Sequence, residues 1–337
     1  MTAVNRVWRL RNRPVGDIDD HVLSFAAEPM PTPADGEFVF RMNYLSLDPT
    51  NRIWMSDMDQ YMPPVALGEP MRGIVCGTVT ESRHPRFQAG DRVSGLGVWA
   101  DYQIGAAARM GRQAEIPGLP LATAFGALIA VGPTAYFGLL DLGQPQPGET
   151  VVVSAAAGAV GSIVGQIAKI KSCRAIGIAG SAAKCRWLVD ELGFDAAINY
   201  RSEDVGAALA RHCPDGIDVY FDNVGGPILD ACLKRMKLGG RIPTCGLIAQ
   251  YNAAAPVPGP YNYAMILMQR LRVQGFIVSD YAARYPEAVA ALSGWMASGE
   301  LKVRIDLAVG LEHALTQLKR LYTGGNTGKL LLQVAAP

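Results

Sequence analysis

Thr150-Val151-Val152-Val153-Ser154-Ala155-Ala156-Ala157-Gly158-Ala159-Val160-Gly161 is the stretch that decides the fold. An apolar run ends at Ser154, a turn of small residues follows, and an amphipathic stretch continues from about Gly158 to Lys171. A strand at 150–154 feeding a helix in this way is the opening of a βαβ unit. Set against the G-x-G-x-x-G pattern of a dinucleotide-binding turn, Ala156 replaces the first glycine, while Gly158 and Gly161 keep the other two. Gly158 lets backbone N–H groups approach a pyrophosphate, and the positive end of the helix that starts at Ala159 and Val160 opposes its charge. Gly161 permits close packing of helix on strand. A purely structural turn is the competing reading; placement at the head of several βαβ units favours the cofactor.

Downstream, strands are expected at 175–179, 196–199, 218–221, 241–244 and 273–278, with helices at 182–192, 203–211 and 227–237. Together with the first strand they form a six-strand, doubly wound parallel sheet. Strand, helix and strand at 304–309, 311–322 and 329–334 then allow the C-terminus to return to the first domain. Upstream, short apolar runs at 37–44, 73–80, 90–93 and 100–104 are cut by turn residues, the texture of an irregular β domain. The expected division is 1–130, completed by 304–337, and 131–303.

The second strand ends at Ile178-Ala179, and Gly180-Ser181 stands where an NAD-selective site carries an acidic residue for the ribose hydroxyls. The missing acid favours a 2′-phosphate, hence NADPH. Lys184, one turn further on, supplies positive charge and the Ser181 hydroxyl a donor. The competing reading of Lys184 is a solvated helix residue.

A formal net charge of +1 with no basic run excludes an electrostatic track for nucleic acid. Residues 116–140 carry no charge and are long enough to suggest a membrane span, but Pro117, Pro120, Pro133 and Gly126, Gly132, Gly138 would break a lipid-facing helix. A buried interdomain segment is expected instead, and no membrane partner. Arg6, Arg9, Arg11 and Arg13 interrupt the start, which lacks the apolar run of a secretory signal, so a cytoplasmic location is expected. Cys76, Cys173, Cys185, Cys213, Cys232 and Cys245 are widely spaced, form no CxxC pattern, and are assigned no chemistry and no metal.

Taken in order, eight motifs resemble one family. They are Leu45-Ser46-Leu47-Asp48-Pro49, Gly68-Glu69-Pro70-Met71-Arg72-Gly73, Thr134-Ala135-Tyr136-Phe137-Gly138-Leu139, the Ala155 to Gly161 turn, Phe221-Asp222-Asn223-Val224-Gly225-Gly226, Cys245-Gly246-Leu247-Ile248-Ala249-Gln250-Tyr251-Asn252, Gly275-Phe276-Ile277-Val278 and Asn326-Thr327-Gly328-Lys329. The chain resembles the zinc-independent medium-chain dehydrogenases/reductases of the leukotriene B4 12-hydroxydehydrogenase/prostaglandin reductase and curcumin reductase-like group. The resemblance implies an α/β protein: a GroES-like, β-rich catalytic domain built from both chain ends, a Rossmann domain between them, and a substrate cleft where they meet. It further implies pyrophosphate at Gly158 to Gly161, the 2′-phosphate at Lys184 and Tyr200, and Asn223 near the ribose. Cys245, Gly246 and the segment to Tyr251, with Phe276, Ile277 and Val278, line the nicotinamide; Thr134 approaches it, and Asn326 reaches the cofactor from the C-terminal segment. A homodimer is implied too. One departure stands out: the family commonly reads Asp-Pro-Tyr-Met-Arg, and this chain reads Asp48-Pro49-Thr50-Asn51-Arg52.

The activity implied is reduction of the carbon–carbon double bond of a small apolar enone or enal. Hydride addition at the β-carbon leaves charge on the carbonyl oxygen, which calls for a hydrogen-bond donor and a proton source. Tyr251 is the first candidate donor, against a purely packing or loop-closing role; Tyr61 supplies a second phenol, and the cofactor ribose hydroxyl is a third candidate. Trp54, Met55, Met58, Tyr61 and Met62 read equally as cleft, core or dimer contact. Leu47-Asp48-Pro49 occupies the place of a catalytic zinc cysteine, and Gly68-Glu69 lacks the histidine of a Gly-His-Glu ligand motif. The alternatives are a quinone reductase or alcohol dehydrogenase of the same fold, or a non-catalytic NADPH-binding protein.

Overall fold

Alternation of apolar and polar residues produces the strands of the first half of the chain, because side chains on a strand point to opposite faces by turns. In the computed structural model, which describes residues 4–337, these are β1 (Val4–Leu10), β2 (Leu23–Pro29), β3 (Phe38–Ser46), β4 (Arg72–Ser82), β5 (Arg92–Val98), β6 (Tyr102–Gly105) and β7 (Met110–Arg112). The short helix α1 (Thr50–Trp54) follows β3, and α2 (Leu121–Leu128) follows β7. Phe38, Phe40, Met42, Leu45 and Trp99 are fully buried in this core. A Cβ on Gly73 would lie 2.7 Å from both Leu45 and Trp99, so only glycine lets β4 carry these side chains against it.

The second half shows the other period. After α3 (Val131–Phe137) come β8 (Thr150–Val153), α4 (Ala159–Ile170), β9 (Arg174–Ala179), α5 (Ala182–Arg186) and β10 (Ala196–Asn199). Next come α6 (Val205–His212), β11 (Ile217–Phe221), α7 (Gly226–Leu233), β12 (Met236–Thr244), α8 (Ala264–Met268), β13 (Arg272–Gly275) and α9 (Tyr285–Ala297). Every residue of β8 and β11 is buried, as parallel strands covered on both faces require. The six strands run parallel in the order β10-β9-β8-β11-β12-β13. Counted from β8 this is 3-2-1-4-5-6, the Rossmann order, whose switch point lies between β8 and β11.

Several boundaries differ from the sequence reading. The strand expected at 273–278 stops at Gly275, and Val278 opens a 3-10 segment, Val278–Arg284, because the apolar Phe276 turns inward instead of continuing the edge. The helix expected at 227–237 ends at Leu233, since Met236 already enters β12. The helix expected at 182–192 divides into α5 and a π-helical segment, Trp187–Glu191. The thirteen residues of α9 had no counterpart among the expected helices.

The chain closes with β14 (Ile305–Val309), α10 (Ala314–Thr323) and β15 (Lys329–Gln333). β15 pairs antiparallel with β3, Leu331 opposite Ser46, in a sheet ordered β14-β15-β3-β4-β5-β7 with β6 also on β3. Two contact-defined units result. One runs to Ile129 and takes in Ile305–Asn326 and Leu330–Pro337; the other comprises Ala130–Arg304 and Thr327–Lys329. Among the described residues one helical run, Leu121–Gly143, is long and apolar enough to cross a membrane, and 67% of its apolar window is buried. Pro133 lies in the first turn of α3, and the run ends as a π-helix, Gly138–Gly143.

Candidate functional site

The turn after β8 is built from backbone contacts. Ala155, one residue before the position aligned with the first glycine of the motif, adopts a left-handed φ of 47°. Ala156 is instead fully buried, its N–H bonded to the Ile178 carbonyl at 3.0 Å, so a methyl group there packs against β9 and no glycine is needed. Gly158 caps α4 in an extended conformation, and a Cβ on it would meet only the Ala155 carbonyl, at 3.1 Å. Gly158, Ala159 and Val160 remain partly exposed, leaving the helix N-terminus accessible to an anion. At Gly161 a Cβ would fall 2.5 Å from the Ala155 carbonyl oxygen and 2.8 Å from Ala156 Cα, so any side chain would push the helix off the turn. The C-terminal motif joins this turn: Gly328 forms a parallel bridge with Gly158 and donates its N–H to the Ala157 carbonyl at 2.9 Å. Gly328 has a φ of +75°, and a Cβ there would lie 2.3 Å from the Arg304 carbonyl. Asn326, two residues earlier, is partly buried.

Ser181, Lys184 and Tyr200 converge at the ends of β9 and β10. Ser181 caps α5, its hydroxyl oxygen accepting the Lys184 N–H at 3.2 Å. The Tyr200 N–H bonds to the Ala179 carbonyl at 3.1 Å, and a Cβ on Gly180 would stand 3.0 Å from the Tyr200 hydroxyl. An acidic side chain at position 180 would therefore have to displace Tyr200. Arg201, which sequence reasoning passed over for want of any motif, sits with its guanidinium 5.8 Å from the Tyr200 ring centre and adds a second cation to this corner.

The remaining expected contacts lie beyond β11 and β12. Asn223 donates its side-chain N–H to the Ser154 carbonyl at 2.8 Å and its backbone N–H to the Ser154 hydroxyl at 2.9 Å. Cys245 and Gly246 donate to the Asp222 carbonyl, and Ile248 to that of Asn223. Burial, and after it the charge of Asp222, pushes the Cys245 thiol up to about 12, so it is a neutral packing group. The Tyr251 oxygen accepts the Leu247 N–H at 3.0 Å, which closes the 246–251 loop. Phe276 packs edge-on against Phe221 with centroids 6.4 Å apart, and its ring tip would stand 2.4 Å from a Cβ on Gly138. Gly138 is therefore what admits the ring. Ile277 and Val278 follow it, partly buried, outside the strand. The Thr134 hydroxyl donates to the Ala130 carbonyl within α3, leaving only its lone pairs for a ligand.

In the first unit the aromatic and methionine segment divides. Trp54 and Met55 are core residues, whereas Met58 and Tyr61 are exposed and Met62 is partly buried against the core. The Tyr61 oxygen accepts the Trp54 indole N–H at 2.8 Å and shares a short hydrogen bond with the Thr50 hydroxyl. Desolvation of the phenol raises its pKa although the residue as a whole is exposed, so Tyr61 stays protonated at neutral pH. Asp48 accepts the Ser46 hydroxyl and donates its N–H to the Asn51 side chain, a structural arrangement.

Residues 6–112 match the family model described as the N-terminal domain of oxidoreductase, and residues 159–294 the one described as zinc-binding dehydrogenase. The chain is 41% identical to the NADPH-dependent curcumin reductase of Escherichia coli, over 98% of this chain and 97% of that protein. It is 42% identical to the NADP(+)-dependent 2-alkenal reductase of Nicotiana tabacum, over 89% of this chain and 88% of that protein. The crystal structure of CurA from Vibrio vulnificus in complex with NADPH is similar at a TM-score of 0.93 and 42% identity, covering 98% of this chain and 100% of that one. The chain belongs to the zinc-independent medium-chain dehydrogenases/reductases. One matched description mentions zinc, but among the described residues no group of three or more His, Cys, Asp or Glu side chains is placed to hold a metal. Two features fit this medium-chain reductase to a phosphorylated dinucleotide: the helix N-terminus at Gly158 to Gly161, where both glycines keep the backbone open, and the Gly180 to Arg201 corner, where tyrosine, lysine and arginine replace an acid.

Proposed function

We propose that this chain reduces the carbon–carbon double bond of α,β-unsaturated ketones or aldehydes with NADPH. Likeness over almost the whole chain to two enzymes carries the reading: the name of one specifies NADPH and curcumin, that of the other NADP(+) and a 2-alkenal. The bound NADPH supplies the hydride that reaches the substrate β-carbon. The backbone N–H groups at Gly158 to Gly161 hold the pyrophosphate, and Ser181, Lys184, Tyr200 and Arg201 hold the 2′-phosphate. Asn223, Thr134, Asn326, the 245–251 loop and Phe276 to Val278 orient the remainder. The Tyr251 O–H donates to the carbonyl oxygen as it becomes an enolate, with its oxygen fixed by the Leu247 N–H. Tyr61, protonated and held by Trp54, supplies a second donor. Small apolar substrates and a cytoplasmic location belong to the same proposal.

The protein acts as a homodimer in this reading. β13 is the edge of its sheet and is exposed throughout, with Val273, Leu267 and Met268 forming an apolar strip on and before it. An exposed apolar edge suits antiparallel pairing with the same edge of a second copy, around a two-fold axis. The activity is tested by following NADPH oxidation over enones, enals, quinones and simple ketones. Saturated ketones or aldehydes should form from the first two classes; turnover restricted to quinones or simple ketones would contradict the assignment.

A further inference from the structure

Asp222 follows the last residue of β11, with no exposed surface and a carboxylate loaded on one side only. Its Oδ1 accepts from the Tyr220 hydroxyl at 2.8 Å, the Ser154 hydroxyl at 3.2 Å, and the Val224 and Gly225 N–H groups, both at 2.9 Å. Its Oδ2 is buried without a hydrogen-bond partner among the described residues. The backbone of the same residue accepts from Cys245 at 2.8 Å and Gly246 at 3.2 Å and donates to the Pro243 carbonyl at 2.9 Å. One residue thus joins three segments far apart in sequence: the start of the phosphate turn at Ser154, the 223–225 turn into α7, and the 245–251 loop after β12. These segments carry the pyrophosphate side and the nicotinamide side of the dinucleotide site.

A buried carboxylate with one orphaned oxygen is a poor source of stability, since desolvation opposes its charge. Burial accordingly raises the Asp222 pKa, against the pull of the donors on Oδ1. What the residue supplies is a fixed acceptor on which four donors converge, and convergence sets geometry.

We propose that Asp222 is a positioning residue for NADPH, whose single loaded oxygen registers the pyrophosphate turn against the loop that carries Tyr251. The task belongs to the oxygen and not to the charge, so an amide can perform it. The proposal rests on the NADPH reading above. It predicts coupling between the two halves of the cofactor, while the adenosine corner at Ser181, Lys184 and Tyr200, built on β9 and β10, stays independent of Asp222.

The test is titration of NADPH and of 2′,5′-ADP, which carries only the adenosine half, against wild type, Asp222→Asn, Asp222→Ala and Ser154→Ala. Loss of the shared acceptor in Asp222→Ala should weaken NADPH by about tenfold or more while 2′,5′-ADP changes by less than about twofold. Asp222→Asn should bind NADPH within about threefold of wild type, and Ser154→Ala, which cuts the link from Oδ1 to the phosphate turn and with it the acceptor of the Asn223 N–H, should show the same split at smaller size. If Asp222→Ala does not fold, Ser154→Ala and Asp222→Asn decide. Unchanged NADPH affinity in Asp222→Ala, equal losses for both ligands, or an asparagine variant as weak as the alanine one would overturn the proposal. Failure of the wild type itself to bind either ligand would overturn the cofactor reading, and this proposal with it.

Discussion

Lys184 tests cofactor choice directly. Its backbone is tied to the Ser181 cap, which places the lysine one helical turn beyond Gly180 and beside the Tyr200 corner. Lys184→Ala should weaken NADPH by about 1.5–3 kcal/mol, the range of a charge-assisted hydrogen bond, and leave NADH nearly unchanged. Parallel titrations with the two cofactors check this, and equal effects would remove Lys184 from the 2′-phosphate. Tyr251→Phe is a less clean substitution than the sequence suggested, because the Leu247 N–H loses its acceptor along with the donor. It should lower kcat by roughly tenfold or more through loss of the enolate donor. A small fall in Tm, from the unpaired N–H, should accompany it. Steady-state kinetics at saturating NADPH separate the two, and unchanged kcat would leave Tyr251 with loop closure alone. At this scale Gly158 and Gly161 were legible because glycine chemistry is local. The left-handed Ala155 and the acceptor role of Asp222 were not, since each depends on neighbours folded in from elsewhere, and Arg201, although next to Tyr200 in sequence, carries no motif that marks it.

Among the elements, β13 carries the sharpest expectation. Its residues are exposed from Arg272 to Gly275, and Val273 is 45% exposed at the centre of the edge. Val273→Lys should shift the protein from dimer to monomer, because a like charge meets itself across a two-fold strand pair. Light scattering at fixed concentration checks it, and a dimer of unchanged affinity would relocate the interface. The strands of the parallel sheet were readable as continuous apolar runs because both faces are covered. That same signal overran at 276–278, where partly buried apolar residues leave the sheet and Phe276 packs against Phe221. The π-helical ends at Gly138–Gly143 and Trp187–Glu191 shift hydrogen-bond register without altering composition, so no pattern of residues announces them. α9, rich in alanine and small residues, gave little contrast between its faces.

Over the whole molecule the order of motifs was the informative quantity; the bridge of Gly328 to Gly158, separated by most of the second half of the chain, appears only in the folded structure. Substrate identity was less legible, because pocket shape depends on tertiary packing and Thr50 departs from the family at a position bonded to Tyr61. The reaction class is open to a decisive measurement, since a ketone reductase and a double-bond reductase consume NADPH on the same enone. The side chains expected at the substrate, Tyr251 and Tyr61, are hydrogen-bond donors. Charge delocalised as an enolate is what such donors stabilise best. NADPH carrying deuterium at C4 on the transferred face should deliver the label to the β-carbon of benzylideneacetone, with the new α-hydrogen drawn from solvent. Deuterium on the carbonyl carbon, in an allylic alcohol, would contradict the account.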